Sequence, residues 1–370
     1  MTDLLYSEIE NDLRASVREV LDDKAPWTSV LAGTERDEPY DAELWRTVAV
    51  ELGCAGLPVP EDVGGAGATW RETAVVMEEL GRYTAPVPFL TSAVTATAAL
   101  MAAGERDLLA RLVSGDAIAV LAVPFSAAPG ETPAPVEVAD GAVTGEVTSV
   151  ADGLAADVFL VPAADGLYAV DAADADRTAV TSLDMTRRLA DVTFSTAPAR
   201  LVAEGTDAVR AALVTGAAML ASEQLGLAQR CLDDTVAYVK TRYQFGRPVG
   251  SFQGLKHRLA DLWTSITQAR AVARHAASRV AGDSAAGDSA AGDGPGGDET
   301  AIAVAVAQAH CSAVAVKAAE ECVQMHGGIG FTWEHPAHLY LKRAKADAIA
   351  FGTPDRHRAA LAALVDLPPA

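Results

Sequence analysis

The sequence predicts an α+β chain of three successive textures: an all-α front, a middle antiparallel β domain and a C-terminal four-helix bundle. Three observations carry this. Apolar residues recur at helical spacing through residue 113, between Gly and Pro stops. Short β-branched runs then alternate with Gly, Pro and Asp turn signals. From Asp207 onward long Ala- and Leu-rich helical patterns return. The expected domains are 1–114, 115–199 and 200–370.

In the front, Leu4, Leu5, Ile9, Leu13, Val17, Val20 and Leu21 mark a first helix. A second spans Trp45–Leu52 and stops at Gly53. GLPVPEDVGGAGATW forces a loop, and Thr73–Leu80 is helical to Gly81. Ala93–Ala102 and Glu105–Val113 follow the Pro86 and Pro88 break. In the middle, strands are expected at Ile118–Val123, Val136–Val138, Val143–Val147, Val158–Val161 and Leu167–Val170, closing near Thr193–Pro198. In the back, helices are expected over Val209–Lys240, Phe252–Val280, Ala301–Val323, His335–Ala350 and Ala359–Val365. The Gly/Ala/Asp repeat of residues 281–299 has nothing to bury and reads as a flexible, solvated loop.

The net charge of −21 repels phosphates and argues against nucleic acid and anionic membranes. Cys54, Cys231, Cys311 and Cys322 show no disulfide or zinc spacing. The N-terminus lacks an apolar signal core, and no apolar run reaches spanning length uninterrupted. A cytoplasmic location is expected. The histidines show no metal-ligand spacing. Trp70 and Trp333 read as packing residues, with a minor site-shaping role open to Trp333.

Two stretches carry chemistry. In RYQFGRPVGSFQGLKHRLADL, Arg242–Leu262, Pro248 cannot continue a helix, so Arg242, Phe245 and Gln253 stand on a turn between helices. In QMHGGIGF, Gln324–Phe331, glycines stop a helix and bare backbone N–H groups that suit phosphate oxygens. Either alone is also an ordinary helix connection or C-cap. Together they supply a cation for a diphosphate, a ring and amides for a base edge.

These stretches, with ELGCAGLPVPEDVGGAG and MEELGR, resemble the acyl-CoA dehydrogenases over nearly the full length. The resemblance implies that FAD lies between two protomers. It implies that Arg242, Phe245, Gln253, Gln324, Gly327 and Gly328 grip the diphosphate and adenosine of the FAD whose ring sits in the neighbour. It further implies an acyl-CoA thioester substrate, α,β-desaturated, and an electron-transfer acceptor.

The departures from the family are specific. Its catalytic glutamate, in a YEGT motif, falls on Phe351. The alternative base position, on the helix before RxxFG, falls on Gly216 and Ala217. Glu223, two turns later, reads as surface or structural rather than as a displaced base. Asp355 reads as a solvated charge beside Arg356 and Arg358. The flavin-contacting segments of the middle domain are also missing. The chain therefore resembles the non-catalytic half of actinobacterial α2β2 acyl-CoA dehydrogenases, some of which act on steroid side-chain CoA esters. That implies a related catalytic subunit as partner. The alternatives are a self-sufficient FAD-dependent dehydrogenase or oxidase paired with itself, and a flavin-free scaffold on the same fold.

Overall fold

A computed structural model describes residues 4–131, 133–134, 136–282 and 298–367. Most of the expected 281–299 loop lies outside them.

The front packs helices α1 (Glu8–Lys24), α2 (Trp27–Thr34), α3 (Ala42–Arg46), α4 (Trp70–Tyr83), α5 (Thr97–Ala103) and α6 (Arg106–Ser114). α1 and α4 start on capping boxes, Ser7 with Glu10 and Thr69 with Glu72, which satisfy the free N–H groups of the first turn. α3 runs into a π-helical turn at Thr47–Glu51, and α5 is preceded by another at Phe89–Ala96. α2 was not expected. Its eight residues are too short to show a helical period.

The middle strands are β1 (Ala119–Leu121), β2 (Val136–Ala139), β3 (Ala142–Ala151), β4 (Val158–Pro162), β5 (Gly166–Asp171), β6 (Ala175–Val180) and β7 (Leu189–Glu204). Their order is β1-β4-β5-β7-β3-β2, with β6 also on β7. The sixteen-residue β7 joins the halves, pairing β3 and β6 through its first part and β5 through its last. One expectation needs correction. The sheet is not wholly antiparallel, because β1 runs parallel to β4, Val120 opposite Phe159. β6 was missed: its ADRTAV sequence is mostly exposed and lacks an apolar alternation.

The back comprises α7 (Asp207–Thr241), α8 (Gln253–Val280), α9 (Asp298–His326), α10 (Ala337–Asp347) and α11 (Pro354–Leu364). A two-strand hairpin, β8 (Tyr243–Gln244) and β9 (Arg247–Pro248), joins α7 to α8. α7 is the central element. It is buried on every side from Ala212 to Ala228, and α4, α5, α8, α9 and α10 pack around it. A helix apolar all round belongs in a core or a membrane. The most apolar stretch of α7 is entirely inside protein.

α4 crosses α7 at glycines. A Cβ on Gly226 would fall 1.8 Å from the Glu78 carbonyl oxygen, and one on Gly81 2.1 Å from that of Glu223. Both obstacles are helix backbone, which cannot rotate away. In an open helix Gly→Ala gains about 1 kcal/mol. Here Gly226→Ala is expected to destabilise instead, by about 1–3 kcal/mol or more, read as a lowered denaturant midpoint.

Candidate functional site

α7 ends where Arg242 turns to the extended region, its N–H still bonded to the Tyr238 carbonyl at 2.9 Å. The hairpin reverses through Phe245 (φ +53°) and Gly246 (φ +75°). Left-handed backbone at both centre positions is what a two-residue hairpin needs. For Phe245 it costs about 1–2 kcal/mol. That ring is nonetheless 91% exposed, meeting only the edge of Phe252 at 6.3 Å. Arg247 stacks over the other side of this pair, 3.9 Å from the Phe252 centroid. A strained, exposed aromatic supported from behind is the mark of a binding element.

At the end of α9, Gly327 takes φ +61° and a tight turn runs from Gly327 to Phe331. A Cβ on Gly327 or Gly328 would meet nothing within 4 Å, so their backbone faces open space. The two stretches share one end of the bundle: the Tyr238 ring, one turn before Arg242, stacks on His326 at 4.4 Å. Arg242, Phe245, Gln253, Gln324, Gly327 and Gly328 are all exposed there. Tyr243, Phe331 and Trp333 are exposed beside them. Trp333 is therefore not a packing residue. It lies 64% exposed under the Lys342 ammonium. A cation, a ring, amides and bare glycine backbone fit the charged and aromatic halves of FAD.

The second region is the middle of α7. Phe351 is buried at φ +52°, pinned by its N–H to the Phe125 carbonyl and by His357 Nε2 to its own carbonyl, both 2.9 Å. Its ring meets Phe125 edge-on at 5.8 Å. A Cβ on Gly216 would lie 2.7 Å from the Phe351 ring and 2.7 Å from the Thr95 methyl. The two positions at which the family resemblance led us to look for a base thus pack together, a ring against a glycine. Asp355 is solvated and pairs with Arg358, as expected.

Beneath Phe125 lies a buried ionic cluster that the sequence reading missed. Glu223 is 1% exposed and accepts both Arg187 (2.7 and 2.9 Å) and Arg343 (2.5 Å). It is structural, and its surface reading is corrected. Arg187 also reaches Asp347 at 2.9 Å and stands 5.6 Å from the Phe125 ring. Arg343 also pairs with Asp184. Burial opposes ionisation of Glu223, but the two guanidinium groups outweigh it and hold its pKa below the usual carboxylate range. A carboxylate so held is a poor proton acceptor. Burial, reinforced by the Glu223 charge, drives Asp347 well above its ordinary value. The signal in the sequence was Glu223 itself, one charge inside the apolar run VTGAAMLASEQLGLA.

Comparison with known proteins now places the chain. The description "Acyl-CoA dehydrogenase, N-terminal domain" matches residues 7–116, and "Acyl-CoA dehydrogenase, C-terminal domain" matches 203–365. Acyl-CoA dehydrogenase IpdE2 of Mycolicibacterium smegmatis is 37% identical, over 94% of this chain and 96% of its own. This chain belongs to the acyl-CoA dehydrogenase family. IpdE2 of Mycobacterium tuberculosis is 35% identical over 92% of each chain. Among solved structures, the ChsE4-ChsE5 complex from Mycobacterium tuberculosis superposes with a TM-score of 0.86 at 28% identity, covering 100% of both chains. A Tcur3481-Tcur3483 steroid ACAD variant gives 0.84 at 28% identity, covering 97% of this chain and 98% of that one. The fold is that of the acyl-CoA dehydrogenases.

Two predictions follow from the cluster. Glu223→Gln leaves two buried guanidinium groups short of a charge, and is expected to destabilise by about 3–5 kcal/mol in chemical unfolding. Asp152, which accepts from Thr91 at 2.8 Å, is pushed by burial up to about 6 against the pull of Arg187. A raised carboxylate favours the fold while protonated, and that contribution is lost as pH rises through 6. Asp152→Asn is therefore expected to raise Tm at pH 8, by the equivalent of roughly 3 kcal/mol, with no such gain at pH 4.

Proposed function

We propose that this chain is the FAD-completing, non-catalytic subunit of a heteromeric acyl-CoA dehydrogenase. Its grip residues hold the diphosphate and adenosine of an FAD whose flavin ring lies in a related catalytic subunit. FAD supplies the hydride acceptor for α,β-desaturation of an acyl-CoA thioester, and the partner supplies the base. The observation that carries this reading is the Phe351 ring, buried against Gly216 where a carboxylate would have to stand.

The length of α7 supports the division of labour. Gly216 and Arg242 are separated by roughly 39 Å of helix rise. One dinucleotide does not extend from the grip at Arg242 to the cleft at Gly216 of the same chain. The grip therefore serves a neighbour. Arg242 neutralises diphosphate charge, and its position beside the Gly327–Gly328 backbone lets N–H donors share that load. Phe245 covers a face of the adenosine, while Gln253 and Gln324 bond its polar edge. Phe351 and Phe125 exclude water and substrate from this chain's own cleft. Glu223, bound by Arg187 and Arg343, has no part in proton transfer.

The neighbour described as a steroid ACAD and the two-chain ChsE4-ChsE5 complex favour a steroid-derived acyl thioester and a heteromeric assembly. The test is the flavin-to-polypeptide ratio. Co-expression with a family subunit carrying the base is expected to give a complex with about one FAD per two chains (from the one-site-per-pair geometry). Arg242→Ala in this chain is expected to lower that flavin content without dissociating the subunits. A homo-oligomer of this chain with full flavin and dehydrogenase activity refutes the proposal.

A further inference from the structure

Away from both regions, α1, α4, α7 and α8 enclose a crevice of about 70 Å³ lined by Arg14, Arg18, Arg82, Arg270, Glu78 and Glu79. We propose that it is a binding site for one small inorganic oxyanion of the phosphate or sulfate class, with Arg270 as the principal ligand.

The argument begins with charge. Arg18 grips Glu79 through two hydrogen bonds of 2.7 and 2.9 Å. Arg14 reaches Glu78, and its Nε lies 3.3 Å from Glu79. Arg82 bonds Asp233 at 3.0 Å and stands 3.8 Å from Glu79. Arg274, outside the lining, is 3.6 Å from Glu78. Four guanidinium groups thus share three carboxylates, and among the described residues the fifth, Arg270, forms no ion pair. Among the described residues its one hydrogen bond is to the neutral Gln229 Oε1, at 2.7 Å. Burial and then the nearby Arg274 charge lower its pKa, and the more distant Glu78 carboxylate offsets them only in part.

Donor geometry points the same way. The Nε–H groups of Arg14, Arg82 and Arg274 are buried, and no acceptor meets them in hydrogen-bond geometry, despite the carboxylates within ion-pair range. Buried donors of this kind call for an acceptor. Guanidinium forks match tetrahedral oxyanions in shape as well as charge. The cavity has room for one ion and not for a nucleotide. It also lies where the front helices meet the bundle, so an occupied site ties α1 and α4 to α7 and α8.

The test uses the full-length protein as purified. Thermal unfolding is followed against inorganic phosphate at constant ionic strength, balanced with a bulky organic sulfonate. Tm is expected to rise and saturate. Arg270→Met is expected to weaken half-saturation about tenfold to a hundredfold, the loss of one charge-assisted bond. Tm without phosphate should not fall, because an uncompensated charge is removed. No saturable rise, or the same half-saturation in Arg270→Met, overturns the proposal. Should that variant not fold, crystals of the unaltered protein soaked in selenate decide it. An anomalous peak within hydrogen-bonding distance of Arg270 supports the site, and none there refutes it.

Discussion

The placement of every element around the cleft depends on the ionic contact of Glu223 with Arg187 and Arg343. Each partner comes from a different part of the fold: Glu223 from α7, Arg343 from α10, Arg187 from the loop that leads into β7. The contact therefore fixes the middle sheet against the bundle. Such a cluster is a poor source of stability, because desolvating each ion costs several kcal/mol. Its worth lies in position. Two cations face Glu223, Asp184, Asp347 and Asp152 in a space sealed from water. Glu223 is the carboxylate that accepts hydrogen bonds from both guanidinium groups. Misplacing any element would strand a buried charge, so alternative dockings of sheet and bundle are penalised.

The constraint extends outward through packing. Asp347 ends α10, and four residues later the chain reaches Phe351. Arg187 stands over the Phe125 ring, whose edge faces Phe351. The same cluster that docks the sheet therefore sets the two rings that fill the cleft. At the other end of α7 the grip depends on different contacts, the Tyr238–His326 stack and the Phe245–Phe252–Arg247 group. Among the described residues the named contacts of the two regions have no residue in common.

Much of this was legible in the sequence, for physical reasons that also mark the limits. Pro248, Gly246 and the QMHGGIGF glycines report backbone geometry directly, so the turns that carry the grip could be placed before any fold was known. The change from helical spacing to β-branched runs near Gly115 located the sheet for the same reason. β6 and α2 escaped because one lacks alternation and the other is shorter than three turns. The parallel β1–β4 pair escaped because pairing direction is a property of distant segments. Glu223 was visible as a charge in an apolar run, but its partners lie 36 and 120 residues away in the chain. The exposure of Trp333 likewise depends on what fails to cover it, which no local pattern encodes.

Gly216 and Phe351 are complementary in volume. Gly216 in α7 carries no side chain, and the Phe351 ring, after α10, occupies the space a Cβ there would need. The ring is held at both its N–H and its carbonyl, in a left-handed conformation that costs an L-residue about 1–2 kcal/mol. Burying a phenylalanine side chain returns about 1.5–3 kcal/mol. The two are of similar size, so burial of the ring offsets the cost of its backbone conformation.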